Sequence, residues 1–134
     1  MGYEILQHTA DYAVRFFGIT WEEVFDSVTD FFKKDIVEIC ETEKDYYFEK
    51  SYTENISYAL IEVLNEIIFQ LETGNIIERI TILERREDFL KCKMFFKKCL
   101  RINFKNNLKA ATYHNMAPVD SSVDSLDITV VFDT

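Results

Sequence analysis

The sequence predicts an α+β fold: a single domain with a mostly antiparallel β-sheet and two main α-helices. Two observations carry this prediction. First, two segments have apolar residues at helical spacing. Second, other segments, which lie before, between and after these two, have apolar residues at every second position, as strands do. A chain of 134 residues is long enough for one domain with its own core, so we assign residues 1–134 to one domain.

The beginning of the chain predicts two short strands and a helix. Residues 3–7 and 12–17 have strand-like patterns. Thr20 and Glu23 then have the spacing of a capping box, in which the threonine oxygen accepts from the Glu23 N–H and the Glu23 carboxylate reaches back. The apolar residues that follow share one helical face; they are Trp21, Val24, Phe25, Val28, Phe31 and Phe32.

The second helix is the most regular element of the pattern. We expect Thr53 to cap its N-terminus and Gly74 to end it in the left-handed conformation. Between them the apolar residues keep helical spacing; they are Ile56, Ala59, Leu60, Val63, Leu64, Ile67, Ile68 and Leu71. Ahead of this helix, residues 35–44 are expected to form a loop or a frayed extension, and residues 46–52 a strand.

From residue 76 onward the alternation returns. One strand reaches Arg86, a turn follows at residues 86–88, and a second strand covers residues 90–96. Further strand-like runs occupy residues 100–104 and 108–114, and residues 115–124 read as a loop. The last strand buries one face, made of Leu126, Ile128, Val130 and Phe132.

Charge is unevenly distributed along the chain. The net charge is −9, yet residues 85–109 contain nine Lys or Arg and two acidic residues, against six basic and 22 acidic residues elsewhere. The acidic part suits a basic protein partner or a cation, and we expect no stable direct binding of nucleic acid. The basic segment either contacts RNA or an acidic partner, or forms a solvated hairpin with Lys and Arg on its outer face.

The cellular setting is predicted from cysteines and hydropathy. Cys40, Cys92 and Cys99 show no metal-finger or redox spacing, so we expect reduced thiols in a cytoplasmic protein. No apolar run approaches the roughly 18 residues that a membrane helix needs, and no membrane association is expected. Residues 1–4 do not open a signal peptide.

Two carboxylates at strand ends form a candidate cation site. Asp11 follows the polar link at His8, and Asp133 ends the last strand. Carboxylate oxygens are ligands of hard cations such as calcium and magnesium. If the outer strands pair, both aspartates reach one ion, with the terminal carboxylate of Thr134 as a third anionic group. His8 either orients a ligand or caps the local backbone.

Residues 109–114 form a second constellation. On a strand, Lys109 and His114 lie on opposite faces. Lys109 either pairs with a site carboxylate, contacts a partner or has a structural role. The sequence contains no Gly-rich phosphate loop, nucleophile elbow or zinc cluster, which argues against nucleophilic catalysis.

Four blocks in the right order resemble the archease family. Residues 8–14 are similar to its "HTAD-x-A" opening, and residues 64–69 with 72–74 to its "LNE" helix. Residues 109–114 are similar to "KAVTYH", and residues 130–133 to the final "V-(I/V)-F-D". Together these blocks span nearly the whole chain.

The resemblance implies the archease fold and an accessory protein, not an enzyme. Archeases act as chaperone-like activators of the RtcB-type, GTP-dependent RNA ligase in tRNA splicing and RNA repair, promoting ligase guanylylation and multiple turnover. The family's divalent-metal positions carry over to Asp11 and Asp133, with calcium expected before magnesium or manganese. Lys109 matches the family's functional lysine, and His8 and His114 are motif positions without an assigned role.

Two other functions remain open at this point. One is a metal-dependent phosphoester hydrolase with Asp11 and Asp133 as ligands. The other is a general protein-binding chaperone whose acidic face holds basic clients.

Overall fold

The computed structural model describes residues 2–6, 12–113 and 125–134. The strands are β1 (Gly2–Leu6), β2 (Tyr12–Gly18), β3 (Val37–Tyr52), β4 (Asn75–Arg86), β5 (Phe89–Phe104), β6 (Ala110–Tyr113) and β7 (Leu126–Asp133). The α-helices are α1 (Trp21–Phe31) and α2 (Ile56–Glu72), and a π-helical turn, Phe32–Ile36, follows α1.

The strands form two sheets. One has the order β1-β2-β7-β6 and the other the order β3-β5-β4. Every pairing within them is antiparallel. The predicted α+β class with antiparallel strands and two main helices is therefore confirmed. The strands form two sheets, whereas the sequence suggested one. The sequence did not reveal this division, because periodicity indicates which face of a strand is buried but not which strand lies beside it.

Helix α1 begins at the predicted capping box. Thr20 Oγ1 accepts a 3.2 Å hydrogen bond from the Glu23 N–H. The Glu23 carboxylate reaches back, but to the N–H of Ile19 at 3.3 Å, one residue before the cap. The apolar face is buried as predicted, and its Phe31 ring lies 5.6 Å from the ring of Phe132 on β7. The helix is therefore fixed against the four-stranded sheet.

Strand β3 corrects the prediction for the middle of the chain. The expectation of a loop or a frayed extension at residues 35–44 is wrong from Val37 onward, because β3 is one strand that starts there. It pairs with β5 from Val37 opposite Phe104 to Tyr52 opposite Leu90, with register shifts along its first third. These irregularities and the charged residues of β3 remove the period-two pattern from the sequence, while the partner strand supplies the hydrogen bonds that local propensity does not.

Helix α2 is capped two residues later than predicted. Asn55, not Thr53, is the N-cap, and its Oδ1 accepts from the Ser57 N–H at 2.9 Å. Gly74 has φ +95°, which confirms the left-handed end of the helix. The predicted apolar positions of α2 are buried, apart from Ile56, which is partly buried against the core.

Strands β4 and β5 form the predicted hairpin, with Asp88 in the turn at φ +56°. The two runs predicted at residues 90–96 and 100–104 belong to the single strand β5. The guanidinium of Arg79 lies 4.2 Å from the Phe95 ring centre, and the ammonium of Lys93 lies 4.3 Å from that of Tyr47. Lys93 of the basic segment therefore lies over an aromatic ring of β3, and the choice between a solvated hairpin and a contact with RNA or an acidic partner stays open.

The cysteines depart from the expectation of three reduced thiols. Cys92 is a free thiol and fully buried on the inner face of β5. Burial raises the pKa of this thiol to about 11. Cys99 is disulfide-bonded, so the expectation of reduced thiols is wrong for this residue.

One buried cluster connects both sheets and both helices. It includes Phe16 and Phe132 from the first sheet, Leu64 from α2, and Ile77 and Phe96 from the second sheet. Among the residues the structure describes, no helix is both long and apolar enough to cross a bilayer.

Candidate functional site at the end of the four-stranded sheet

The candidate site is built where β6 and β7 pair at one end of the four-stranded sheet. Ala110 lies opposite Asp133, and the Lys109 N–H donates a 2.8 Å hydrogen bond to the Asp133 carbonyl. The structure thus brings together two residues that are 24 positions apart in sequence. Because the contact is between backbone groups, it leaves both charged side chains available.

Strand alternation sends the Asp133 side chain away from the core. Phe132 is fully buried, and its ring stacks on Phe31. Adjacent side chains on a strand point to opposite faces, so Asp133 is directed outward, and both Asp133 and Thr134 are exposed. Anchoring of Phe132 therefore fixes the position of a solvent-facing carboxylate.

Three of the predicted site residues, His8, Asp11 and His114, lie outside the described residues. Tyr12, next to Asp11, and Tyr113, next to His114, are described. Tyr12, which follows Asp11 in the chain, is paired across the sheet with Phe132, which precedes Asp133. The expected meeting of Asp11 and Asp133 stays a prediction.

Asn65 holds the strand that carries Lys109, a role the sequence analysis did not identify. Its Nδ2 donates to the Ala111 carbonyl at 3.2 Å, and its Oδ1 accepts from the Ala111 N–H at 2.8 Å. Strand β6 is at the sheet edge, so the amide group of Asn65 takes the place of a neighbouring strand. The periodicity of α2 did not single it out, because Glu62, Glu66 and Gln70 are also polar positions of this helix.

The chemistry available at this sheet end is that of a carboxylate and an ammonium group. A carboxylate is an oxygen ligand for a hard cation, and an ammonium group is a partner for phosphate. Within the described ranges, no group of three or more His, Cys, Asp or Glu side chains is placed to hold a metal ion. The divalent-metal site expected at Asp11 and Asp133 stays a prediction.

The fold and this sheet end describe a small α+β protein with candidate functional residues on adjacent strand ends. The model of the Archease protein family matches residues 3–134. The chain therefore belongs to the archease family.

Two solved structures have the same fold. A crystal structure from Thermotoga maritima, described as an archease and possible chaperone, is 28% identical with a TM-score of 0.67, over 98% of this chain and 96% of the other. The solution structure of Methanobacterium thermoautotrophicum protein 1598 is 20% identical with a TM-score of 0.75, over 99% of each chain. No curated protein sequence matches this chain at a significant level.

Proposed function

We propose that this protein activates an RtcB-type, GTP-dependent RNA ligase in tRNA splicing and RNA repair. It acts as an accessory protein that promotes ligase guanylylation and repeated turnover, and not as an enzyme in its own right. Membership in the archease family is the observation that carries this proposal. The four sequence blocks that resemble family motifs support it, since they include the candidate site residues.

The proposed site is a divalent-metal site held by Asp11 and Asp133, with Lys109 beside it. Two observations on described residues support this arrangement: Tyr12 pairs with Phe132, and the Lys109 N–H bonds to the Asp133 carbonyl. The family resemblance implies calcium first, then magnesium or manganese, and carboxylate oxygens are ligands for each of these ions. A bound divalent ion neutralises phosphate charge and fixes its geometry.

The residues of this chain have separate roles in the proposal. Asp133 presents a fixed carboxylate, because Phe132 is packed in the core. Lys109 presents an exposed ammonium group that pairs with a phosphate of GTP or with a carboxylate of the ligase. Asn65 keeps β6, which begins directly after Lys109, in place through its two hydrogen bonds to Ala111.

The test is ligase guanylylation and multiple-turnover RNA joining by a cognate ligase. Activation is measured with wild-type protein, Asp11→Asn, Asp133→Asn and Lys109→Ala. We expect each variant to lose at least tenfold in activation, because each removes a charge from the proposed site. Direct metal binding, followed by calorimetry with calcium chloride, is expected to weaken in the two aspartate variants and to persist in Lys109→Ala.

The matched control is Asp127→Asn, which changes the same residue type at the other end of β7. Asp127 pairs with Arg15 at 2.7 Å and lies opposite Phe17, away from Asp133. Its activation is expected to equal that of wild type. Failure of the wild-type protein to activate the ligase would refute the function. Full activation by both Asp11→Asn and Asp133→Asn would refute the proposed metal site alone.

A general chaperone is the second candidate, because the Thermotoga maritima relative is described as a possible chaperone. This function predicts suppression of aggregation for unrelated basic proteins, unchanged by Asp133→Asn. The ligase activator predicts no such general effect. A phosphoester hydrolase would instead turn over substrate with no ligase present.

A further inference from the structure

A second site lies between the end of β3 and the middle of α2, and Asn65, which bonds to Ala111, is part of its lining. It is an open pocket of about 540 Å³. Its lining residues are Lys50, Ser51, Tyr52, Thr53, Glu54, Glu62, Asn65, Glu66 and Phe69. Glu66 belongs to the family-like block at residues 64–69, whereas Glu54 and Glu62 lie outside the four blocks and have no role in the proposed ligase activation.

Two buried polar atoms without a partner line this pocket. In the described part of the chain, the buried side-chain oxygens that make no hydrogen bond are Tyr52 Oη and Glu54 Oε2. Tyr52 is only 4% exposed, so bulk water reaches it poorly. A buried polar group without a partner costs roughly 1–3 kcal/mol, so a ligand that donates to both oxygens gains free energy at this pocket.

The carboxylates of the pocket are arranged unequally. Glu66 is satisfied, since Oε1 bonds to Lys50 Nζ at 2.5 Å and Oε2 accepts from Gln70 Nε2 at 3.1 Å. Glu54 and Glu62 instead face each other. Burial and the neighbouring Glu54 carboxyl raise the pKa of Glu62, while Lys50 opposes the rise. When both carboxyl groups are ionised, they repel each other beside the unpartnered oxygens.

The charge and shape of the pocket select an organic cation. Three glutamates face one lysine, which leaves a net negative charge. A metal ion is not favoured, because the described acidic side chains form no group of three that can hold one. Phe69 borders the pocket with its side chain 56% exposed, which supplies an aromatic face. Cations stack on such faces, and arginine does so more often than lysine.

We propose that this pocket binds the guanidinium group of an arginine side chain. A guanidinium group has donors only, in a planar fork, and the site offers acceptors that need donors. Glu54 and Glu62 accept the fork, the Tyr52 hydroxyl accepts a further N–H, and Phe69 stacks on the plane. The cation also relieves the repulsion between the two carboxylates. This proposal does not depend on ligase activation.

The probe is N-acetyl-L-argininamide, titrated into the isotopically labelled full chain and followed by nuclear magnetic resonance. We expect saturable shifts for amides around Tyr52 and Glu62. The same titrations with N-acetyl-L-lysinamide, spermidine and magnesium chloride are expected to give no saturation over that range. They distinguish a guanidinium from other cations.

The variants test each contact separately. Glu62→Gln removes a charge at the mouth, Tyr52→Phe removes only the unpartnered hydroxyl, and Phe69→Ala removes the aromatic face. We expect Glu62→Gln to weaken binding at least tenfold and the other two about three- to tenfold. Glu38→Gln, an exposed carboxylate of β3 outside the pocket, is the matched control and is expected to bind like wild type.

The proposal is overturned by any of three results. The first is no saturable shift with the arginine probe. The second is binding of this probe by Glu62→Gln and Tyr52→Phe that equals binding by wild type. The third is stronger binding of spermidine or magnesium than of the arginine probe. None of these results affects the sheet-end site, because ligase activation is measured with Asp133→Asn and not with pocket variants.

Discussion

Replacement of Asn65 by alanine tests whether one side chain holds the strand that carries Lys109. Asn65 makes two hydrogen bonds to the backbone of Ala111, one through each end of its amide. Ala111 is only 4% exposed, so water does not replace these bonds without local opening. Alanine at position 65 removes both partners at once and leaves the backbone of Ala111 unsatisfied.

The magnitude follows from these two bonds. A hydrogen bond contributes roughly 0.5–1.5 kcal/mol, and an orphaned buried group costs about 1–3 kcal/mol. Two moderate bonds at a partly buried edge give an expected loss of about 2–3 kcal/mol in the free energy of unfolding. Because β6 is short and at the edge, part of this loss should appear as local opening of β6 before the whole chain unfolds.

The assay combines urea denaturation with amide hydrogen exchange. We expect a lower urea midpoint, and exchange at Ala111 roughly 30-fold faster, the factor for about 2 kcal/mol. Exchange at Val130, in the middle of β7, should change only as much as global stability does. Asn107→Ala truncates an exposed amide and is expected to change stability by less than about 0.5 kcal/mol. A loss below about 0.5 kcal/mol for Asn65→Ala would refute the inference that Asn65 holds β6 in place.

Three further predictions concern the core, a helix end and a carboxylate pair. The Cys92 thiol is buried, and its pKa is raised to about 11. It should therefore react with an alkylating reagent at pH 8 at least 100-fold more slowly in the folded than in the urea-unfolded protein. Comparable rates would contradict its burial. Gly74→Ala should lower the free energy of unfolding, measured by urea denaturation, by about 1 kcal/mol. The cost is in the backbone alone, because φ is +95° while the nearest atom to an added Cβ is 3.9 Å away. Gly74→Asn should cost less, and equal losses would point to a side-chain clash. The raised pKa of Glu62 means that the folded state holds its proton more tightly than the unfolded state, so its contribution to stability is present at low pH and lost as pH rises through the folded pKa. Glu62→Gln should therefore match wild type near pH 4 and exceed it by a few tenths, ~0.3 kcal/mol, at pH 7 in denaturation curves; a variant less stable than wild type at pH 7 would show that Glu54 and Glu62 do not repel.

The sequence by itself determined the elements with strong local signals. Helix α1 was predictable because Thr20 and Glu23 form a capping box ahead of a regular apolar stripe, and α2 because its apolar positions recur without a break. The hairpin turn at residues 86–88 and the end of α2 at Gly74 were predictable because their backbone conformations favour particular residues. The family was also recognisable, because its motifs are contiguous blocks.

Only the tertiary structure decided the elements that depend on distant partners. The start of β3 at Val37 depends on pairing with β5, which no local pattern in residues 35–44 reveals. The cap at Asn55 was missed because Thr53 and Asn55 are both good caps, and packing of α2 selects between them. The division into two sheets likewise depends on which strands are neighbours.

The same distinction applies to the sites. Asp133 and Lys109 were identifiable as charged residues in motifs, but their contact exists only because β6 pairs with β7. Asn65 and the pocket around Tyr52 were not predictable, since hydrogen bonds between distant segments leave no periodic signal. Local propensities therefore determined where helices and turns begin and end, and long-range pairing decided which polar groups meet, because strand partners lie far apart in sequence.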